Sequence, residues 1–127
     1  MGAEQRKALM EKLHALLQIK GVVAVSKYEI TADQDFHLPR SLATVGHLQG
    51  DVSWWVMNFC EMSLTLCQAE AIDYDNITRS RRFFPPQAVF VRGKELSFLG
   101  TANRVTVVLR NADKPNLWDI IARSKAL

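Results

Sequence analysis

Residues from about Val52 to Ile72 read as one long helix that is apolar on two sides. One stripe is Val52, Trp55, Val56, Phe59 and Leu66; a second is Trp54, Met57, Glu61, Leu64 and Cys67, apolar apart from Glu61. A helix that is apolar on more than one side has to be covered on more than one side. One side can lie on a sheet built by the rest of the chain, and the other asks for a second cover. Asp51 is a suitable N-cap for this helix, and Gly46 and Gly50 punctuate the chain before it.

The remaining segments supply the sheet. Leu9, Leu13, Leu16 and Leu17 recur at helical spacing, with Ile19 closing the stripe and Gly21 as the expected stop. Gly21–Ile30 is rich in β-branched residues, and Val22–Val25 is apolar on both faces, as in a central strand. Thr31–Asp35 is expected to turn. Phe36–Leu42 is a weak strand, and Pro39 confines it to a sheet edge because proline offers no ladder donor. After the long helix, Asp73–Arg82 is a polar, basic connection stopped by Pro85-Pro86, with Phe83 and Phe84 expected to anchor it in the core. Three strands follow, Gln87–Arg92, Glu95–Thr101 and Arg104–Val108 or beyond, joined by Gly93-Lys94 and Ala102-Asn103. Asn111 or Asp113 is expected to cap a last helix, with Pro115 in its first turn and Leu117, Trp118, Ile120 and Ile121 on its apolar side. The order α-β-β-α-β-β-β-α defines an α+β fold with one antiparallel sheet. At 127 residues the chain makes a single domain, 1–127.

Chemistry-bearing patterns are few. His14, His37 and His47 are not at metal-ligand spacing, and neither Cys60 nor Cys67 has a partner two or three residues away, so no metal and no cofactor is expected. On one helix the two thiols lie about 10 Å apart along the axis, beyond the ~7 Å limit for a disulfide. Gly93-Lys94 lacks the upstream glycine of a phosphate loop, position 88 being Ala88. No nucleophile elbow and no Ser/His/Asp arrangement is evident, and the chain is read as no enzyme. No apolar run is long enough to span a membrane and no leader is evident, so a cytoplasmic location without membrane contact is expected.

The net charge of +3 is unevenly spread. Residues 1–73 carry 6 Lys/Arg and 9 Asp/Glu, whereas residues 74–127 carry 10 and 4. Arg79, Arg81 and Arg82, beside Phe83 and Phe84, form a candidate basic patch for an acidic partner, a phosphate or single-stranded nucleic acid. The overall charge is too small to point to nucleic acid.

Two segments carry a family resemblance. Leu16–Ile30, "LLQIKGVVAVSKYEI", resembles the opening of roadblock domains, which are related to dynein light chains; there a short helix ends in an Ile-x-Gly-Val turn that feeds the first strand. Ala88–Asn111, "AVFVRGKELSFLGTANRVTVVLRN", resembles their closing meander. The chain is also similar to a small prokaryotic roadblock-like subfamily found beside heterodisulfide-reductase-like sulfur-oxidation genes. The resemblance implies a profilin-like sandwich, with a five-stranded antiparallel sheet in the order 2-1-5-4-3. It also implies a homodimer formed through third strands and central helices, acting as a scaffold or adaptor for an unidentified protein partner. Trp54, Met57, Cys60, Leu64, Val89 and Val91 are then the candidate interface. The glycine-turn hairpin usual between the first two strands is absent, and a short, bent or partly lost second strand is expected. Two other readings are a regulator of a small Ras-like GTPase and a ligand sensor of the PAS or GAF type, whose pocket would use Trp54, Trp55 and Phe59.

Overall fold

A computed structural model describes residues 1–33, 36–79 and 82–127. The element order is α1 (Ala3–Leu17), β1 (Val22–Asp33), β2 (Phe36–Gly46), α2 (Gly50–Thr78), β3 (Ala88–Arg92), β4 (Leu96–Thr101), β5 (Val105–Arg110), a 3-10 turn (Asn111–Asp113) and α3 (Leu117–Ser124). The strands form one antiparallel sheet in the order β2-β1-β5-β4-β3. The α+β class, the element order and the strand order are those expected.

Strand alternation divides the sheet residues between two layers. On one side Val25, Ala43, Val45, Leu99, Val105, Val107 and Leu109 pack with Leu13 and Leu16 of α1 and Ile120 of α3. On the other side the apolar core is small: Ala24 and Val108 of the sheet pack against Val56 and Cys60 of α2, and Ser26, Tyr28 and Thr106 are buried on the same face. The first layer is a full core and the second a thin one. The thin layer lets α2 come close: a Cβ at Gly100 of β4 would stand 2.5 Å from Cys60 Cβ and 2.6 Å from its Sγ. Glycine is therefore required at position 100 by proximity, since no side chain fits between helix and strand.

Several local expectations are corrected. α1 stops at Leu17 with Gln18 as C-cap, so Gly21 does not end the helix. Instead Gly21, at φ +90°, turns the chain into β1, and its missing Cβ leaves room for Pro115. Thr31–Asp33 continue β1 rather than turning, and Gln34 and Asp35 lie outside the described residues. β2 is 11 residues long, neither short nor lost. It is an edge strand, as Pro39 requires, and its register against β1 shifts between Lys27 and Tyr28. Tertiary packing overrides the weak local propensity: Ala43 and Val45 reach the large core and hold the strand.

α2 is 29 residues long and begins after Gln49, not Asp51; the Asp51 carboxylate instead accepts from the Val52 N–H in the first turn. It continues through Asp73–Thr78, six residues expected to be a connection, and ends at Arg79 in the left-handed region. Asp75 explains part of the extension. It is buried on the last turns, and its carboxylate accepts from the Phe83 and Phe84 N–H groups, tying the returning chain to the helix. Phe83 and Phe84 are not core anchors: both are exposed, and Phe83 meets Tyr74 edge-on at 4.8 Å. Asn116, not Asn111 or Asp113, caps α3 by accepting from the Asp119 N–H, which places Pro115 before the helix.

Candidate interaction surface

Neither stripe of α2 is buried as a whole. Val56, Met57, Cys60 and Leu64 are buried within the single chain. Met57, Cys60 and Leu64, expected to face a second copy, are therefore not available to one, and the expected interface is corrected at these three positions. Trp54 remains exposed. Except for Val56, the stripe expected to cover the sheet lies outward: Val52, Trp55, Phe59 and Leu66 are all exposed, and Met62 with them. Periodicity alone ranks the two stripes equally. Side-chain size favours the observed choice, because the small Val56 and Cys60 pack with Ala24, and Cys60 lies against Gly100.

Trp55 and Phe59 reach down to Phe98 of β4. The three rings form a mutual cluster with centroids 5.5, 5.6 and 5.7 Å apart, and Phe98 stands edge-on to both helix rings. Phe98 pairs in register with Val91 of β3, and Val89 pairs with Gly100. Val89 and Val91, both part-buried candidates for the interface, thus lie on the α2 side of the edge strand beside the aromatic cluster. Trp54, Trp55 and Phe59 are all surface rings.

The two sheet edges differ. β2 carries Pro39 and a register shift, both of which spoil further strand pairing. β3 is a regular five-residue strand without proline, and its outer side has no neighbour among the described residues. An open regular edge continuous with an exposed aromatic cluster is a ready-made place for another strand.

On the far side of α2 an ionic group closes on itself. The Tyr28 hydroxyl donates to Glu61 Oε2 at 2.9 Å, and Arg104 Nη2 and Nε donate to Glu61 Oε1 at 3.0 and 3.1 Å. Arg104 has φ +64° in the turn between β4 and β5, where its carbonyl accepts from the Tyr28 N–H. Burial and the bond to Glu61 push the Tyr28 hydroxyl well above its usual range, and the same carboxylate raises Arg104. Burial, with Glu61 adding to it, holds the Cys60 thiol up at about 12, so it stays protonated and unreactive. Lys27 is lowered by burial and by nearby Arg104; its ammonium donates to the Asn103 carbonyl. Sequence spacing missed this group because Tyr28, Glu61 and Arg104 come from three separate elements.

The basic patch is only partly assembled. Arg79 and Arg82 are exposed at the end of α2, and Arg81 lies outside the described residues. Cys60 is buried, Cys67 is exposed, and both are free thiols. Among the described residues no three His, Cys, Asp or Glu side chains converge as metal ligands, and no helix is long and apolar enough to cross a membrane.

Fold and surface together define a small α+β protein whose central helix covers a thin core and leaves an aromatic face beside an open strand. The chain belongs to the family described as Uncharacterized conserved protein (DUF2173), whose model matches residues 12–122. No curated protein and no solved structure gives a significant match.

Proposed function

We propose that this protein is a non-enzymatic, homodimeric scaffold of the roadblock type that presents a protein-binding surface. The supporting observation is the continuity of the exposed α2 stripe, Trp55, Phe59, Met62 and Leu66, through Phe98 to the open edge of β3. A second copy, related by a two-fold axis at that edge, would extend the sheet and cover both helices with the same patch. The ionic group beside α2 is structural in this reading, Glu61 tying Tyr28 of β1 and Arg104 of the β4–β5 turn to the helix.

Sedimentation of the wild type and of Phe59→Asp tests the proposal. Phe59 is 36% exposed and outside the buried core clusters, so the variant is expected to keep the wild-type circular dichroism spectrum. The wild type is expected to sediment as two chains at micromolar concentration, and the variant as one, since an unpaired charge in a buried interface costs several kcal/mol. A monomeric wild type, or an unchanged dimer in the variant, refutes it.

A further inference from the structure

On the sheet face opposite α2, two cavities meet along β3. One, of about 370 Å3, is lined by Phe90, Arg92, Ser97, Leu109, Asn111 and Lys114 among others. The next, of about 490 Å3, lies between β3 and α3 and has Ala88, Phe90, Trp118, Ile121 and Lys125 in its walls. Phe90 lines both, so the two adjoin as a trough along the strand with this ring at their junction. Five strand residues span about 16 Å.

Two cations, Arg92 and Lys114, stand at one end of this trough, and Lys125 alone at the other. Four arginines elsewhere meet carboxylates: Arg40 with Glu29, Arg104 with Glu61, Arg110 with Asp113 and Arg123 with Asp119. Among the described residues Arg92 and Lys114 have no such partner, although both line the same cavity. Beneath them Ser97 is buried and donates to the Asn111 side chain, which in turn donates to the Gly93 carbonyl. That network makes a rigid polar floor with its own bonds already satisfied. The rest of the trough is mainly apolar, with Gln87 and Lys125 at its margin, and Trp118 stands over it 83% exposed. A site with two uncompensated cations at one end and a mainly apolar channel beyond fits a ligand with the opposite polarity pattern.

We propose that this trough binds a small organic anion with an apolar chain, its charged group held by Arg92 and Lys114 and its chain laid past Phe90 toward Trp118. The site is independent of the α2 face, so it stands or falls separately from the dimer.

The test is an amide chemical-shift titration of the full chain with octanoate, and with acetate and octanol as the charge-only and chain-only probes. Octanoate is expected to saturate and to move Arg92, Asn111 and Lys114 together with Trp118 and Ile121. Acetate and octanol are expected to bind more weakly. Arg92→Gln and Lys114→Asn are each expected to weaken octanoate about tenfold, the worth of one charge-assisted hydrogen bond. Asparagine is chosen because Lys114 has φ +48°, a conformation asparagine tolerates. Octanoate binding unaffected by both variants, octanol binding as tightly as octanoate, or shifts confined to Trp55, Phe59 and Phe98 would each overturn the proposal.

Discussion

Gly100→Ala is the most direct test of how α2 sits on the sheet. In a strand, alanine for glycine ordinarily gains roughly 0.5–1 kcal/mol, because the unfolded chain loses freedom. Here the added methyl would lie 2.5 Å from Cys60 Cβ and 2.6 Å from its Sγ. Cys60 is fully buried, and β4 is held on both sides by β3 and β5, so neither side yields without cost. Overpacking of this kind costs about 1–3 kcal/mol. The expected net effect is a loss of up to about 2 kcal/mol, opposite in sign to the ordinary one. Urea unfolding followed by tryptophan fluorescence reads it. With a slope near 2 kcal/mol/M, each kcal/mol lost lowers the midpoint by about 0.5 M. Cys60→Gly removes both clashing atoms, at about 1 kcal/mol for glycine in a helix plus lost packing. In the double variant the alanine methyl takes the vacated space, so the two changes should couple favourably by about 1 kcal/mol or more. A raised midpoint for Gly100→Ala alone, or strict additivity in the double variant, would show that α2 does not rest on β4 at this point.

Removing the Glu61 side chain leaves the buried Tyr28 hydroxyl without its acceptor, so Glu61→Ala should cost about 1–3 kcal/mol. Glu61→Gln retains an acceptor and should cost less, because Arg104 is half-exposed and its ion pair is worth at most about 1 kcal/mol; equal midpoints for the two variants would contradict this. Stability should fall as pH rises above about 9, because unfolded Cys60 and Tyr28 lose protons near 9.0 and 10.0 that the folded chain retains, Cys60 up to about 12. Lys27 works against that fall below its usual 10.5, since its folded value is lowered and its contribution grows with pH there. Cys60→Ala should flatten the midpoint-against-pH curve between pH 9 and 11, and an unchanged slope would exclude the thiol as a source. In native protein at pH 8, mass spectrometry should find Cys67 alkylated and Cys60 protected; equal labelling would mean that α2 lifts from the sheet.

Local pattern was enough for the architecture. Leucines at helical spacing marked α1, the β-branched run after Gly21 marked β1, and short glycine- and asparagine-containing connections marked the β3–β5 meander. Pro39 placed β2 at an edge because a missing N–H has the same consequence in any context. Boundaries were less legible. The end of α2 depends on Asp75 meeting two N–H groups eight and nine residues further along the chain, and β2 depends on Ala43 and Val45 reaching a core built mainly by other elements. Neither contact leaves a periodic trace.

By itself the sequence determined that the central helix has more apolar surface than one chain can cover, since that is a matter of counting side chains around a 3.6-residue turn. It could not determine which stripe is left over. The tertiary structure decided that, through the close approach of Cys60 to Gly100, which turns the small residues inward and leaves Trp55, Phe59, Met62 and Leu66 at the surface. It also placed Arg92 and Lys114 on one cavity, although 22 positions separate them, because strand pairing and the turn into α3 bring distant residues together and spacing along the chain does not record it.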